Sequence, residues 1–258
     1  MKKRWPKVTV ILPFFKKIRF FKKTFNSILI QNYKHIEIII VYDDLNRNEL
    51  NQVNKIIKGH KNVKVILNKK NIGAGLSRNR GIKNATGKYI AFLDCDDVWK
   101  KNKLKKQVEI MKKDNIPFSF TTYEIIGENG NKLNKKVIAK NLNYEKLIKS
   151  CDIGLSTVIV EKKIISKFKF PDLLTKEDFV VWLKIAKKEN QLIGINQNLC
   201  YWRKSQNSLS SSSLQKFFDA FNVFYFFEKK NIFLSILFTI RLSFNFLLKY
   251  YFKIEKRV

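Results

Sequence analysis

Cysteine, histidine and acidic side chains are all scarce in this chain, and each scarcity removes a class of explanation. The 3 cysteines, Cys95, Cys151 and Cys200, form no CxxC pair and no even framework. That excludes a disulfide scaffold and a zinc ribbon, and it fits a reducing compartment. The 2 histidines, His35 and His60, lie beside expected loops without partner spacing and read as surface residues. No Ser/His/Asp or Cys/His constellation stands out. Acids number 21 against 52 Lys+Arg, a net charge of +31 that would attract a polyanion. The basic residues are scattered along the whole chain, and no nucleic-acid module such as an RRM or zinc finger is apparent, so nucleic acid is not expected as a partner. Long uninterrupted apolar runs are missing as well. Residues 8–12 are too short for the core of a secretion signal before Pro13. The apolar stretch at 232–248 carries Arg241 in its middle and Lys229, Lys230 and Lys249 at its flanks, which argues against a simple spanning helix.

What is present is 258 residues with a hydrophobic fraction of 45%, enough for one large domain with an appendage. Apolar runs at 8–12, 36–42, 63–67, 89–93, 118–126 and 155–160 read as strands. Helical patterns lie between them at 20–31, 49–58, 71–81 after a glycine turn, and 101–113, with a further helix at 176–183. Alternation of this kind implies an α/β fold with a doubly wound, mostly parallel central sheet flanked by helices. Pro13 is expected to open a loop after the first strand, and 128–131 reads as a turn.

The strand at 89–93 runs into Asp94, Cys95, Asp96 and Asp97. Carboxylates at the carboxyl end of a parallel strand lie where open α/β sheets bind ligands, and hard oxygen ligands suit magnesium or manganese carrying a phosphorylated substrate. The same spacing also arises when aspartates cap the next helix. Gly73 and Gly75 lead into a helix bearing Arg78, and arginine grips phosphate bidentately, although ordinary turns need glycine too. Glu177 and Asp178 open a helix, where acids also complement the helix dipole.

Taken in order, VTVILPFF, IEIIIVYDD, NIGAGLSRNRGIKNATGKYIAFLDCDD, KEDFVVWLKI and YWRKSQNSLS resemble the motifs of the family 2 glycosyltransferases over about residues 8–210. The resemblance implies the GT-A fold and an inverting, metal-dependent transfer of a sugar from a nucleotide-diphosphate donor, with uridine diphosphate as the expected carrier. The acceptor it implies is a saccharide or lipid-linked hydroxyl in envelope polysaccharide synthesis. By the same resemblance Pro13, Phe15, Asp43 and Asp44 hold the nucleotide base, Arg78 the diphosphate and Asp94 the ribose. Asp96, with Asp97 in support, would hold Mg2+ or Mn2+, and Asp178 would be the catalytic base. Trp99, Glu177 and Arg203 are candidates for acceptor or lid contacts. Three departures are visible: Phe15-Lys16 where the family often has Tyr-Asn, Leu45-Asn46 where it has Gly-Ser, and Ser205 where many members carry histidine. Nucleotidyl transfer and non-catalytic polyanion binding are the rival classes, and Asp94, Asp96, Asp97 and Asp178 would repel a phosphate backbone unless a cation intervened.

The catalytic domain is expected to span 1–213 and a basic, aromatic appendage 214–258. Phe217, Phe218, Phe221, Phe224 and Tyr225 recur at helical spacing, and the aromatic theme continues through 233–252 among lysines. Such helices either lie in an anionic membrane interface, placing the protein peripherally on the cytoplasmic face, or pack on the catalytic domain or a second subunit. The serine run at 208–213 reads as a lid or a linker.

Overall fold

The computed structural model describes residues 5–205 and 213–251. Its first half alternates strand and helix: β1 (Val8–Phe14), α1 (Ile18–Leu29), β2 (Ile36–Tyr42), α2 (Arg47–Ile57), β3 (Val63–Leu67), α3 (Gly73–Asn84) and β4 (Tyr89–Phe92). The second half is less regular: β5 (Val98–Trp99), α4 (Lys103–Lys113), β6 (Phe118–Ile126), β7 (Lys132–Val137), α5 (Tyr144–Leu147), β8 (Ile159–Glu161), α6 (Lys162–Ile165), α7 (Glu177–Glu189) and β9 (Ile193–Arg203). Helix α8 (Ser213–Asn222) runs through a π-helical turn, Val223–Phe227, before α9 (Ile232–Tyr251).

The strands lie in the order β3-β2-β1-β4-β8-β6-β9-β5, with β7 paired to β6. The first four are parallel, in a register that sets Val8 opposite Ile36 on one side and Tyr89 on the other. Strand β8 then runs antiparallel to both β4 and β6, β6 and β9 are parallel, and β5 closes the sheet against β9. Because β2 lies on one side of β1 and β4 on the other, the chain reverses its winding direction there. A crevice therefore opens beyond the carboxyl ends of β1, β2 and β4.

Strands covered on both faces are apolar at nearly every position rather than alternating, and β1 and β4 fit that rule. Odd and even positions of β1 feed two cores. Ile11 joins Ile39, Val41, Phe92 and the α7 residues Phe179 and Trp182 on one face. Val8, Val10 and Leu12 join Phe21 and Phe25 of α1 and Leu104 and Val108 of α4 on the other. Gly81 lets α3 lie against β1, since a Cβ there would sit 2.5 Å from Ile11 Cγ2.

Several expectations are corrected. Pro13 does not open a loop but sits inside β1, opposite Val41. It is tolerated because the pairing with β4 ends at Ile11, opposite Phe92, so no ladder bond on that side is lost with the missing amide. Residues 155–160 are not one strand: Leu155–Thr157 is a 3-10 turn and pairing begins at Ile159. The short strand β5 and the polar strand β7 were not foreseen, because neither has an apolar run to announce it. The serine run lies, up to residue 212, outside the described residues.

The inner face of α8, the π turn and α9 belongs to the core: Ala220, Val223, Phe224 and Leu242 are buried in the cluster that holds Phe179. Phe224 meets Phe179 edge to face at 6.2 Å. The outer face is different, with Phe226 64%, Phe233 73% and Phe244 57% exposed. Among the described residues no helix is long and apolar enough to cross a membrane.

Candidate active site

The four buried residues of β4 deliver Asp94 to the mouth of the crevice, where the amide of Asp97 donates to the Asp94 carbonyl at 3.0 Å and closes a turn. The three aspartates of that turn have different surroundings. Asp97 is buried: its Oδ2 accepts the Ser156 hydroxyl at 2.5 Å and its Oδ1 the Arg203 amide at 2.8 Å. Burial, with Asp96 and Asp94 nearby, pushes its carboxyl well above the usual carboxylate range. Thr24 adds a clasp by donating to the carbonyls of Cys95 and Asp97 at 2.9 and 2.8 Å. Asp97 is therefore a strut of the turn, buried and with each of its oxygens accepting one hydrogen bond from the protein.

Arg203 and Trp99 serve the same scaffold. The Arg203 guanidinium donates to the carbonyls of Asp96, Gly127 and Glu128 at 2.8, 3.1 and 2.8 Å, tying the turn to the β6–β7 hairpin. Trp99 is 2% exposed and its indole N–H donates to the Ser156 carbonyl at 2.7 Å. Neither side chain has the open surface that an acceptor or lid contact requires.

Asp94 and Asp96 face the crevice. Asp94 Oδ1 accepts Arg78 Nη2 at 2.8 Å, and Arg78 Nη1 reaches Glu177 Oε1 at 2.6 Å. Arg78 thus joins the β4 turn to the first turn of α7. Gly75 makes room for this join, because a Cβ there would lie 2.7 Å from the Pro171 carbonyl and 3.1 Å from Glu177 Cγ. The partners respond unequally. Burial pulls the Arg78 guanidinium down, but Asp94 and Glu177 more than offset it and hold the pKa above the usual arginine value. Burial pushes the Glu177 carboxyl up to about 7, with Arg78 opposing and Asp178 adding to the rise.

Asp178 is half-buried, one residue further along α7, and its Oδ1 accepts the Phe179 amide at 2.7 Å. Burial raises its carboxyl against the pull of Arg78 and Lys176. The approach to it is held under tension. Lys176 has φ +66, an unusual conformation for a residue with a side chain. Thr175 before it is fixed by Asp219 of α8, whose Oδ2 accepts both the Thr175 amide at 2.9 Å and its hydroxyl at 2.8 Å.

Asp43 and Asp44 divide in the same way as the β4 aspartates. Asp43 is buried and accepts from Asn68 Nδ2 at 2.7 Å and from the amides of Ile72 and Gly73 at 2.8 Å each. It organises the loop into α3, and Gly73 meets it at φ +83. Asp44 Oδ1 takes the Asn46 amide at 3.1 Å, whereas its Oδ2 has no protein partner. Phe15 is half-buried at the end of β1, next to Lys16 at φ +48.

Three residues were missed in the sequence: Ser156, Asp219 and Lys17. Lys17 Nζ lies 2.8 Å from Asp96 Oδ2 and 3.4 Å from Ser205 Oγ. The ammonium is a cation placed by the protein on Asp96, the residue expected to hold a metal, with Ser205 standing where many relatives carry histidine, so the donor chemistry of Asp96 fits a cation. Among the described residues no three His, Cys, Asp or Glu side chains converge as a metal site. Further ligands would come from water and a bound phosphate.

Residues 9–174 match the family described as glycosyl transferase family 2. The chain belongs to that family. This family 2 glycosyltransferase is 36% identical over 211 residues to TuaG of Bacillus subtilis (strain 168), a proposed teichuronic acid biosynthesis glycosyltransferase, covering 80% of this chain and 82% of TuaG. It is 35% identical over 211 residues, 81% of each chain, to the Escherichia coli UDP-Glc:alpha-D-GlcNAc-diphosphoundecaprenol beta-1,3-glucosyltransferase WfgD. Among solved structures it resembles S. aureus TarS 1-349 in complex with UDP-GlcNAc, with a TM-score of 0.73 at 20% identity over 98% of this chain and 76% of that one. It also resembles the mannosyltransferase PcManGT from Pyrobaculum calidifontis in complex with GDP-Man and Mn2+, with a TM-score of 0.69 at 14% identity over 93% of this chain and 70% of that one. These likenesses establish the GT-A fold for this glycosyltransferase.

Proposed function

We propose that this glycosyltransferase moves a sugar from a uridine-diphosphate donor to a hydroxyl of a lipid-linked saccharide in cell-envelope polysaccharide synthesis, with inversion at the anomeric carbon. The observation that carries the reading is the Asp94–Arg78–Glu177 bridge, which fixes the β4 turn and the Asp178 helix as one unit. Donor and base are then held in a constant relation, as direct displacement requires. The half-buried Asp44 carboxylate, whose Oδ2 is buried without a protein partner, would accept the N–H of a uracil ring, and Asp94 would accept ribose hydroxyls. UDP-linked donors are named for WfgD and for the TarS complex, and a diphosphate-lipid acceptor for WfgD.

The acceptor hydroxyl gives its proton to the Asp178 carboxylate as its oxygen bonds to the anomeric carbon. The bond from that carbon to the diphosphate oxygen breaks, and the electron pair leaves with the nucleoside diphosphate. A carboxyl raised by burial is a stronger base than an exposed aspartate, which suits it to this task. Asp96, with Ser205 beside it, would hold a magnesium or manganese ion, which when bound supplies positive charge to the leaving group. The test is Asp178→Asn. Calorimetric affinity for UDP should stay within about twofold of the unmodified chain, while sugar transfer falls by about 10²–10⁴, the range of general-base contributions. Undiminished transfer by the variant would remove Asp178 from the role.

The outer face of α8 and α9 carries exposed Phe218, Phe226, Phe233, Ile236 and Ile240, with Lys229 and Arg241 exposed on the same segment. A phenylalanine-rich face among cations suits an anionic bilayer surface, where a lipid-linked acceptor is reached in two dimensions. Flotation with vesicles containing anionic lipid should carry the protein up. Phe233→Glu with Ile240→Glu should abolish flotation without altering UDP affinity, and a concentration-dependent dimer in place of flotation would assign the face to a second copy.

A further inference from the structure

We infer that Lys17 is a donor-diphosphate ligand built into the β1–α1 loop, so that this chain retains part of its UDP affinity without any divalent ion. The inference rests on the donor-site reading above and adds a residue that none of the sequence motifs indicated. Lys17 is the N-cap residue of α1, following Lys16 at φ +48, and that turn sends its side chain over the β4 turn. The ammonium reaches Asp96 at 2.8 Å and Ser205 at 3.4 Å, with both charged partners largely covered: 23% of the Lys17 side chain and 15% of that of Asp96 are exposed. Phe20 lies beneath it, 5.8 Å from the ring centroid.

An ammonium has three N–H donors and no acceptor. Asp96 and Ser205 take two of them, which leaves one for an oxygen brought in from outside. The site's open side is the crevice bounded by Asp94 and Asp96, where the diphosphate of a donor read by Asp44 and Asp94 would lie. That crevice is acidic, and a diphosphate cannot approach Asp94 and Asp96 unless positive charge offsets them. Arg78 is committed to two carboxylates and Arg203 to three carbonyls. Both guanidinium groups are buried, whereas 23% of the Lys17 side chain is open and its two partners leave it one N–H donor.

The experiment is calorimetric titration of the whole chain with UDP and, separately, with uridine, in chelator and in manganese. In chelator the unmodified protein should bind UDP, and Lys17→Met should weaken that binding by at least about tenfold, the order expected of one charge-assisted hydrogen bond. Lys17→Arg should restore most of the affinity, Lys16→Met should leave it unchanged, and uridine, which has no phosphate, should bind alike to all four proteins. Melting curves of the variants check that each is folded, and the Lys17→Arg arm keeps the test decisive if Lys17→Met is unstable. Equal UDP affinity of Lys17→Met and the unmodified chain in chelator would overturn the assignment. So would binding that appears with manganese and vanishes entirely in chelator. Absence of UDP binding under every condition would instead overturn the donor-site reading, and the assignment with it.

Discussion

Replacing Arg78 with methionine should strand one buried carboxylate, and the cost follows from the surroundings of its two partners. Arg78 is 3% exposed and holds Glu177, itself 8% exposed, at 2.6 Å. Asp94 has 35% of its side chain open and can be rehydrated, so Glu177 is the group left without compensation. Removing one member of a buried ion pair costs about 3–5 kcal/mol. For a chain of this size each kcal/mol lowers the melting temperature by about 2–4 °C, so Arg78→Met should melt on the order of 10 °C lower. The companion is Arg78→Met with Glu177→Gln, which leaves no buried charge and should recover most of the lost stability while sugar transfer stays absent. Denaturant unfolding at pH 8, above the Glu177 pKa of about 7 in the unmodified chain, gives the free energies of that chain, of Arg78→Met, of Glu177→Gln and of the double variant. A loss under about 1 kcal/mol in the single variant, or a double variant no more stable than the single, would refute the bridge as the element that joins the two halves of the site.

Glu177 also sets a pH signature. Its folded pKa of about 7 lies above the unfolded value of 4.5, so the native state keeps a proton that the unfolded chain releases between those values. That contribution to stability is complete below pH 4.5 and is lost as pH rises through about 7; Glu177→Gln should therefore flatten the dependence, measured as denaturant midpoints at pH 5 and pH 8. Asp219→Ala frees Thr175 and should lower kcat by about tenfold with UDP affinity unchanged, and Asp219→Asn should fall between, since its amide oxygen can still accept both Thr175 bonds but its NH2 would face the Gln215 amide donor. Gly81→Ala places a methyl 2.5 Å from Ile11 Cγ2 and should cost about 1–3 kcal/mol by overpacking, read as a lower melting temperature with UDP affinity retained.

The first half of the fold was legible because β1, β2 and β4 are buried in a parallel sheet and announce themselves as apolar runs, while the edge strand β3 is short but still mostly apolar. Strand β9 has the burial pattern of a strand that is only partly covered, and its polar positions Asn196, Gln197 and Asn198 hide it from any periodicity argument. In the site, sequence located the acids but could not assign their jobs. Asp43 and Asp44 are neighbours of the same type, yet one is consumed by loop amides and the other keeps a free oxygen. The difference lies in Ile72 and Gly73, nearly 30 residues away, whose amides choose between them. Lys17 was unreadable for a related reason: among 52 basic residues, nothing local marks the one that folds back onto Asp96.

The charge balance of the whole chain gives the site its logic. Of 21 acids, Asp43, Asp44, Asp94, Asp96, Asp97, Glu177 and Asp178 all lie at the carboxyl ends of β2 and β4 or at the start of α7. Gathering seven carboxylates is costly unless their charge is removed or matched, and this chain does both. Burial keeps Asp97 and Glu177 protonated to higher pH, amides satisfy Asp43, Arg78 matches Asp94 and Glu177, and Lys17 matches Asp96. Asp44 keeps one oxygen without a protein partner, and Asp178 accepts the Phe179 amide while Arg78 and Lys176 oppose the rise that burial gives its carboxyl. On the proposed reading, the acid with an unpartnered oxygen would accept an N–H of the donor base, and the raised, half-buried carboxylate would take the acceptor's proton. Arg78 and Lys17 would then offset the charge of the leaving diphosphate in that proposal.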